Sequence, residues 1–129
     1  MKVKKVMCFG TFDRVHKGHI SYFKQAKEYG NYLIVVVARD KNVEIIKKRM
    51  PFEDENKRFM SVKKVSEVDC VVLGGEINNK YDIIRKLKPD TLCLGYDQEI
   101  SIEELKKYFN GKILRMKPYK EEIYKSSLM

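Results

Sequence analysis

The sequence contains no apolar run approaching the roughly 20 residues that a membrane-spanning helix requires. Its start, Met-Lys-Val-Lys-Lys, leads directly into a predicted strand, without the long apolar region of a signal peptide. Cysteine is scarce, and Cys8, Cys70 and Cys93 lie in separate apolar runs. Such an odd, unclustered set argues against a disulfide framework and against a zinc site. We therefore expect a cytoplasmic protein with buried, reduced thiols.

Positive charge, in contrast, is abundant. The chain has 27 Lys and Arg against 18 Asp and Glu, a net charge of +9. No stretch interleaves basic and aromatic residues as a binder of single-stranded nucleic acid would, so we expect neither a nucleic-acid nor a membrane partner. The excess charge is interpreted as a solvated surface with a basic mouth for small anions. The 129 residues, 43% of them hydrophobic, predict one globular domain, 1–129.

Strand-like apolar runs alternate with helical stripes along the chain. We predict five strands, at 4–9, 32–38, 70–73, 91–94 and 112–116. Three apolar stripes and a capping box predict the helices between them: Ile20, Phe23, Ala26; Phe59, Val62, Val65; Ile84, Leu87; and Ser101 with Glu104, opening a helix through Phe109 up to Gly111. This alternation predicts an α/β, Rossmann-like doubly wound parallel sheet of order 3-2-1-4-5, with helices on both faces. Ligands of such sheets bind where the strand order reverses, here between the first and fourth strands.

The segment that follows the first predicted strand carries the most chemistry: Gly10-Thr11-Phe12-Asp13-Arg14-Val15-His16-Lys17-Gly18-His19. Gly10 is expected to allow a sharp turn and the close approach of a ligand. A helix beginning near Lys17 would direct its N–H groups and positive dipole end at the same place. His16 and His19 would project together from its first turn. This combination suits a triphosphate under attack at its α-phosphorus, whereas the spacing fits neither a zincin pair nor a P-loop.

These ten residues resemble the GTFDxxHxGH signature of the cytidylyltransferase-like nucleotidyltransferases. Leu94-Gly95-Tyr96-Asp97-Gln98 is similar to the matching loop of the archaeal FAD synthetases, whereas the glycerol-phosphate cytidylyltransferases tend to Gly-Asp-Asp-Trp. Segments 35–40 and 119–124 resemble the same flavin-adenylating branch. The resemblance covers essentially the whole chain. It implies an enzyme that transfers AMP from ATP to FMN, giving FAD and pyrophosphate.

The resemblance also implies roles for individual residues. His16 and His19 would act in catalysis by stabilising charge, as cations, and Lys48 would close over the triphosphate, although Lys47 or Arg49 could equally do so. Nucleotide contacts are implied for Gly10, Thr11, Phe12, Gly18, Arg58, Gly95, Asp97, Ser126 and Ser127, with Asp97 at the ribose. Acceptor contacts are implied for Asp13, which would orient the acceptor phosphate or a metal, and for Tyr124. Mg²⁺ would be carried mainly by the nucleotide phosphates, without a metal site of the protein's own.

The family's Ser/Thr-rich motif opens a final helix, but the matching stretch here is Lys125-Ser126-Ser127, with Met129 two residues on. Weaker triphosphate binding is expected from this departure. Two alternatives to the FMN adenylyltransferase stay open: a glycerol-3-phosphate cytidylyltransferase-type enzyme that uses CTP, and a non-catalytic nucleotide-binding protein. Small members of the superfamily are often dimers, so the resemblance makes a homodimer one expected assembly.

Overall fold

The computed structural model describes residues 2–75, 81–96, 98 and 100–119. Strands and helices alternate along this part of the chain. The strands are β1 (Lys5–Gly10), β2 (Tyr32–Val37), β3 (Cys70–Leu73), β4 (Thr91–Leu94) and β5 (Lys112–Arg115). The helices are α1 (Lys17–Lys27), α2 (Asp40–Lys47), α3 (Glu55–Lys63), α4 (Asp82–Leu87) and α5 (Ile102–Leu105). Every predicted strand is confirmed to within one residue at each end.

The five strands form one parallel sheet of order β3-β2-β1-β4-β5, which confirms the predicted topology. The strand order reverses between β1 and β4, whose last registered pair is Cys8 with Cys93. Beyond this pair the two strands lead into different loops, so a crevice opens at the carboxyl ends of the central strands.

Apolar side chains pack on both faces of the sheet. On one face, Phe23 and Ala26 of α1 and Val62 of α3 cover β1 and β2. On the other, Ile84 of α4 and Leu105 of α5 cover the central strands. Strands buried on both faces read as continuous apolar runs, as in Tyr-Leu-Ile-Val-Val-Val of β2.

The three cysteines are free, and Cys8 and Cys93 are buried in the core. Burial raises the pKa of the Cys8 thiol well above its ordinary value and that of Cys93 to about 12. Both therefore stay protonated at neutral pH, as the buried, reduced state expected from the sequence requires. Cys70 is only partly buried.

Two helices differ from the sequence prediction. Helix α2 follows β2 in a segment for which no helix was predicted. It buries only Val43 as an apolar residue, and it is anchored by Asn42, whose amide donates to Gly75 O at 2.7 Å. Its other large apolar side chains, Ile45 and Ile46, stay exposed, so this short helix buries little apolar surface.

Helix α5, predicted to reach Phe109, ends at Leu105. The Ser101 side chain caps it as expected, accepting from Glu104 N. After Leu105 the backbone turns tightly, with Lys107 N donating to Glu104 O and Tyr108 N to Leu105 O. Such i to i+3 bonds close a helix rather than extend it. Within the described part of the chain, no helix is long and apolar enough to span a membrane.

Candidate active site

The floor of the crevice between β1 and β4 is built by two polar side chains. Tyr22, on the core face of α1, donates its hydroxyl hydrogen bond to Cys93 O at 2.6 Å and lies 3.4 Å from Phe9 O. Gln98 donates its amide to the same Phe9 O at 2.7 Å and accepts from Gly95 N at 2.8 Å. Burial raises the pKa of Tyr22 well above its ordinary value, which keeps its hydroxyl proton in place. These two residues satisfy backbone groups that the diverging strands would otherwise leave without partners.

His16 and His19 form the N-terminal cap of α1. The Nδ1 atom of His16 accepts a hydrogen bond from Gly18 N at 3.0 Å, and Nδ1 of His19 accepts from His16 N at 3.2 Å. This is the reciprocal arrangement of a capping box, built here from two imidazoles. The two rings stack, with centroids 4.0 Å apart. The two rings lie together at the start of α1, with His16 as the N-cap residue and His19 in the first turn, and α1 begins at Lys17 as expected.

The cap also determines where each ring carries its proton. An Nδ1 atom that accepts a hydrogen bond has no proton of its own, so each neutral ring carries its proton on Nε2. In this capping geometry both rings present Nε2–H as a donor at the positive end of the α1 dipole. That the two histidines act as cations beside a bound polyphosphate stays a prediction.

The sharp turn expected at Gly10 lies two residues later. Gly10 continues β1, and the left-handed backbone conformations occur at Phe12 (φ 55°) and Arg14 (φ 52°). Such conformations are strained for residues with side chains and are common at functional sites. Burial of the Phe12 ring against Phe23, at a centroid distance of 5.0 Å, compensates for the strain.

The two glycines of this segment make room for neighbouring side chains. A Cβ atom at Gly10 would lie 2.6 Å from the Phe12 ring, and one at Gly18 would lie 2.8 Å from Cε1 of His16. Gly18 thus leaves room for the ring of His16, at a position for which the resemblance implied a nucleotide contact. Both glycines allow the histidine loop, which we define as residues 10–19, to fold tightly on itself.

Arg58 supports the histidine loop from below. It is fully buried, and its guanidinium donates to Thr11 O at 2.8 Å, Ala38 O at 2.7 Å and Glu53 O at 3.0 Å. Its remaining nitrogen pairs with Asp40 at 2.6 Å. Arg58 therefore positions the loop and does not face the crevice as a free nucleotide ligand. The sequence analysis identified Arg58 as a site residue but could not predict the groups to which its guanidinium donates.

Asp13 ties the histidine loop to the segment before α3. Its two carboxylate oxygens accept from Phe52 N at 2.8 Å and Glu53 N at 2.9 Å. Burial alone would raise the pKa of Asp13, but these bonds and the nearby guanidinium groups of Arg14 and Arg58 outweigh it, and the pKa lies below its ordinary value. Asp13 is thus ionised at neutral pH and holds the histidine loop against the segment before α3. The structure shows its carboxylate engaged with backbone groups, where the resemblance implied an acceptor phosphate or a metal.

A cavity of about 40 Å³ opens beside the histidine loop. Its lining combines two residues of the loop with the end of α2 and the segment that follows: Thr11, Asp13, Val43, Lys47, Arg49, Met50 and Pro51. The structure brings Lys47 and Arg49 to this wall. Lys48, the favoured candidate, is the left-handed residue that ends α2 and lies outside the lining.

Facing the histidine loop across the crevice is the second loop, of which residues 95, 96 and 98 are described. Gln98 holds Gly95 from inside, and Arg115 of β5 donates to Gly95 O at 2.9 Å and Gln98 O at 2.8 Å. Sequence reasoning assigned no role to Tyr22, Gln98 or Arg115. Gln98 lies in a quoted motif, and Tyr22 is a phenol on a core-facing helical stripe, so both offered a signal. Asp97, Tyr124, Ser126 and Ser127 lie outside the described residues.

The described residues do not fit a metal centre held by the protein. No three described His, Cys, Asp or Glu side chains are placed to share one ion. Asp13, the carboxylate that the resemblance offered to a metal, already accepts two backbone N–H groups.

Comparison with known proteins gives concordant matches. The model of the cytidylyltransferase-like family matches residues 7–127. The chain is 36% identical to the FAD synthase of Picrophilus torridus over 128 residues, which is 95% of this chain and 91% of that protein. It is 40% identical to the FAD synthase of Thermococcus sibiricus over 129 aligned positions, with 95% and 87% covered.

A solved structure supports the fold over nearly the same span. The crystal structure of the lipopolysaccharide core biosynthesis protein from Thermoplasma volcanium GSS1 superposes with a TM-score of 0.85 at 36% identity. The match covers 92% of this chain and 99% of that one. The fold is therefore shared with a protein of known structure over most of the chain.

Proposed function

Because this chain belongs to the cytidylyltransferase-like family, we propose that it is an FAD synthase, an enzyme that transfers AMP from ATP to FMN and releases pyrophosphate. The observation that carries the proposal is the imidazole capping box. It sets two N–H donors at the amino end of α1, beside the point where the strand order reverses. This is where doubly wound sheets bind nucleotides.

The chemistry needs positioning and charge stabilisation rather than a strong base. An oxygen of the FMN phosphate, already ionised near neutral pH, attacks the α-phosphorus of ATP. A new P–O bond forms as the bond from the α-phosphorus to the bridging oxygen breaks, and pyrophosphate leaves with that electron pair. Nε2–H of His16 and of His19 would donate to the phosphate oxygens as negative charge builds up in the transition state. Because the capping bonds orient both rings beforehand, little reorganisation is needed at the moment of reaction.

The cavity beside the histidine loop offers a place for the outer phosphates. Lys47 and Arg49 line it together with Thr11, and their positive charges would offset the negative charges of a polyphosphate. We propose Lys47 or Arg49, rather than Lys48, as the cation that contacts the phosphates. A divalent ion such as Mg²⁺ would be carried by the substrate's own oxygens, since Mg²⁺ is commonly bound through substrate phosphates.

Several expectations from the resemblance remain part of the proposal. They are the ribose contact of Asp97, the phosphate contacts of Ser126 and Ser127 and the acceptor contact of Tyr124. A homodimer and a cytoplasmic location, where ATP and FMN are available, belong with them.

The test is a pyrophosphate-release assay over ATP and CTP, each with FMN and with glycerol 3-phosphate. We expect release with ATP and FMN, and the product identified as FAD by its mass. Release only with CTP and glycerol 3-phosphate would favour the cytidylyltransferase reaction and overturn the proposal. Nucleotide binding without any release would favour a non-catalytic nucleotide-binding protein.

A further inference from the structure

A side-chain amide lies between the two central strands at the point where they separate. Their last registered pair is Cys8 of β1 with Cys93 of β4. Beyond it, Gln98 donates through Nε2 to Phe9 O of β1 at 2.7 Å and accepts through Oε1 from Gly95 N, just after β4, at 2.8 Å. A direct bond between these two backbone groups would hold the strands closer together. The carboxamide of Gln98, which we name the wedge, therefore sets how far apart the strands stand as they leave the sheet.

The wedge can take only one orientation. Phe9 O is an acceptor and must face the NH2 group, whereas Gly95 N is a donor and must face the carbonyl oxygen. Gln98 N donates to Gly95 O at 3.2 Å, and Arg115 of β5 donates to Gly95 O at 2.9 Å and to Gln98 O at 2.8 Å. The Tyr22 hydroxyl of α1 lies 3.5 Å from Oε1 of Gln98. Elements α1, β1 and β5 thus fix the wedge before any ligand binds, as accurate positioning of a site requires.

We propose that Gln98 is a positioning residue for the nucleotide, and that the wedge holds the histidine loop and the second loop at the separation that ATP requires. The inference rests on the proposed function and adds to it the residue that sets the width of the site. The histidine loop follows Phe9 directly, and the second loop begins at Gly95. Asp97, the proposed ribose contact, precedes Gln98 in the sequence. The proposed function assigns ATP contacts on both loops and assigns FMN none on the second, so the wedge acts mainly on ATP.

The wedge needs one donor and one acceptor, which distinguishes it from a residue that only fills space. In Gln98→Glu an ionised carboxyl still accepts from Gly95 N but turns an acceptor toward Phe9 O, and the two oxygens repel each other. A protonated carboxyl regains the donor and restores the wedge. Because this carboxyl is partly buried and faces a carbonyl oxygen, we expect its pKa to lie above the ordinary value. Gln98→Met has neither group at any pH.

The ionisable groups that the described residues place around the wedge keep one charge between about pH 5 and pH 8. Tyr22 faces it, and burial raises the pKa of this phenol well above its ordinary value. The thiols of Cys8 and Cys93 lie in the same core cluster as Tyr22, and burial raises their pKa values too, that of Cys93 to about 12. Arg115 remains a cation. The two histidines of the histidine loop titrate in every variant, so each affinity is expressed relative to wild type at the same pH.

The first experiment measures the binding of ATP with Mg²⁺, without FMN, by calorimetric titration over this pH range. Gln98→Glu is compared with Gln98→Met and with the control Gln25→Glu. Gln25 makes the same pair of bonds elsewhere, donating to Lys117 O at 2.9 Å and accepting from Lys117 N at 2.8 Å. Near pH 8 we expect both Gln98 variants to bind ATP about 10-fold more weakly than wild type. Toward pH 5 only Gln98→Glu should recover, and Gln25→Glu should match wild type throughout.

The recovery also shows that Gln98→Glu is folded and has lost only the donor of the wedge. Wild-type affinity of Gln98→Glu near pH 8, a loss that does not depend on pH, or no binding of ATP by wild type would overturn the inference. An equal, pH-dependent loss in Gln25→Glu would do the same, since any amide paired with the backbone would then behave in this way.

Kinetics separate the positioning of ATP from support of the fold. In the pyrophosphate assay we expect Gln98→Met to raise KM for ATP about 10-fold and to change kcat and KM for FMN little, since the loss affects ground and transition states alike. A lower melting temperature with unchanged KM for ATP, or a rise confined to KM for FMN, would overturn the inference while the enzyme's function stands. If wild type produces no FAD, the function fails, and the ATP titration still decides whether the wedge positions a nucleotide.

Discussion

The histidine loop and the second loop face each other across the same crevice, but charged groups hold one and mainly neutral groups hold the other. Buried Arg58, with its partner Asp40, and the ionised Asp13 fix the histidine loop. The amide of Gln98 and the hydroxyl of Tyr22 fix the start of the second loop, and the more exposed Arg115 reinforces it from outside.

The difference has an energetic consequence. Removing one member of a buried charged network leaves an uncompensated charge, whereas removing a neutral amide leaves only unpaired dipoles. The loop that carries the proposed catalytic groups is thus the one whose supports are most costly to remove. The comparison suggests that the histidine loop must be placed more accurately than its counterpart, since it carries the proposed donors His16 and His19.

The largest expected effect separates the chemical role of the histidines from their capping role. His16→Asn and His19→Gln retain side-chain oxygens that can cap α1, since Asn is a good N-cap and Gln suits the third helical position. They lack the ring N–H, so we expect turnover to fall about 10²–10³-fold with the melting temperature nearly unchanged. His16→Ala should lose both turnover and about 1 kcal/mol of stability. Near-normal turnover of the Asn and Gln variants would exclude the proposed donor role.

Loss of the buried guanidinium is next in size. Arg58→Leu removes four donated hydrogen bonds and leaves Asp40 without its cation. We therefore expect the free energy of unfolding, measured by urea titration, to fall by about 3–5 kcal/mol. The control is Arg39→Leu, whose guanidinium is more exposed and lies 3.7 Å from Glu55. Its loss should cost about 1 kcal/mol or less. Equal costs for the two variants would show that burial of Arg58 is not what holds the histidine loop.

Loss of the neutral support, Gln98, should lower the stability less than loss of the charged support, Arg58. Gln98→Met keeps the length of the side chain but leaves Gly95 N and Phe9 O without their amide partner. We expect a loss of about 1–3 kcal/mol, measured in the same urea titration as Arg58→Leu. A loss as large as that of Arg58→Leu would remove the distinction between the two loops.

The smallest expected effect is the dependence on pH of the stability that Asp13 contributes. The pKa of Asp13 is lowered in the folded protein, so the stability that its ionised form contributes is fully present above the unfolded value, about pH 4, and is lost as the pH falls through the folded value. The difference in stability between wild type and Asp13→Asn, about 1 kcal/mol at neutral pH, should therefore begin to shrink near pH 4 and be lost as the pH falls through the lowered folded value. For Gln98→Met the difference should stay constant over the same range. Urea titrations at pH 3 and pH 6 check both, and a constant difference for Asp13→Asn would contradict the assignment of its lowered pKa to the folded loop.

The sequence by itself determined the parts whose causes are local. Alternating apolar runs and stripes predicted the sheet because strands and helices repeat with different periods, and the spacing of His16, Gly18 and His19 predicted a shared site because all three lie within one helical turn. The sequence analysis missed α2 although Val43 and Ile46 form a short apolar stripe, because long-range bonds such as that from Asn42 to Gly75, 33 positions away, cannot be read from the sequence.

Only the tertiary structure decided what the supporting residues do. Arg58 meets Thr11 across 47 positions, Asp13 meets Phe52 across 39, and Gln98 meets Phe9 across 89. A side chain's role depends on its partner, and partners so distant along the chain come together only when the parallel sheet sets its order. For the same reason the sequence could not choose among the adjacent cations: the turn at Lys48 that ends α2 leaves Lys47 and Arg49, but not Lys48, in the lining of the cavity.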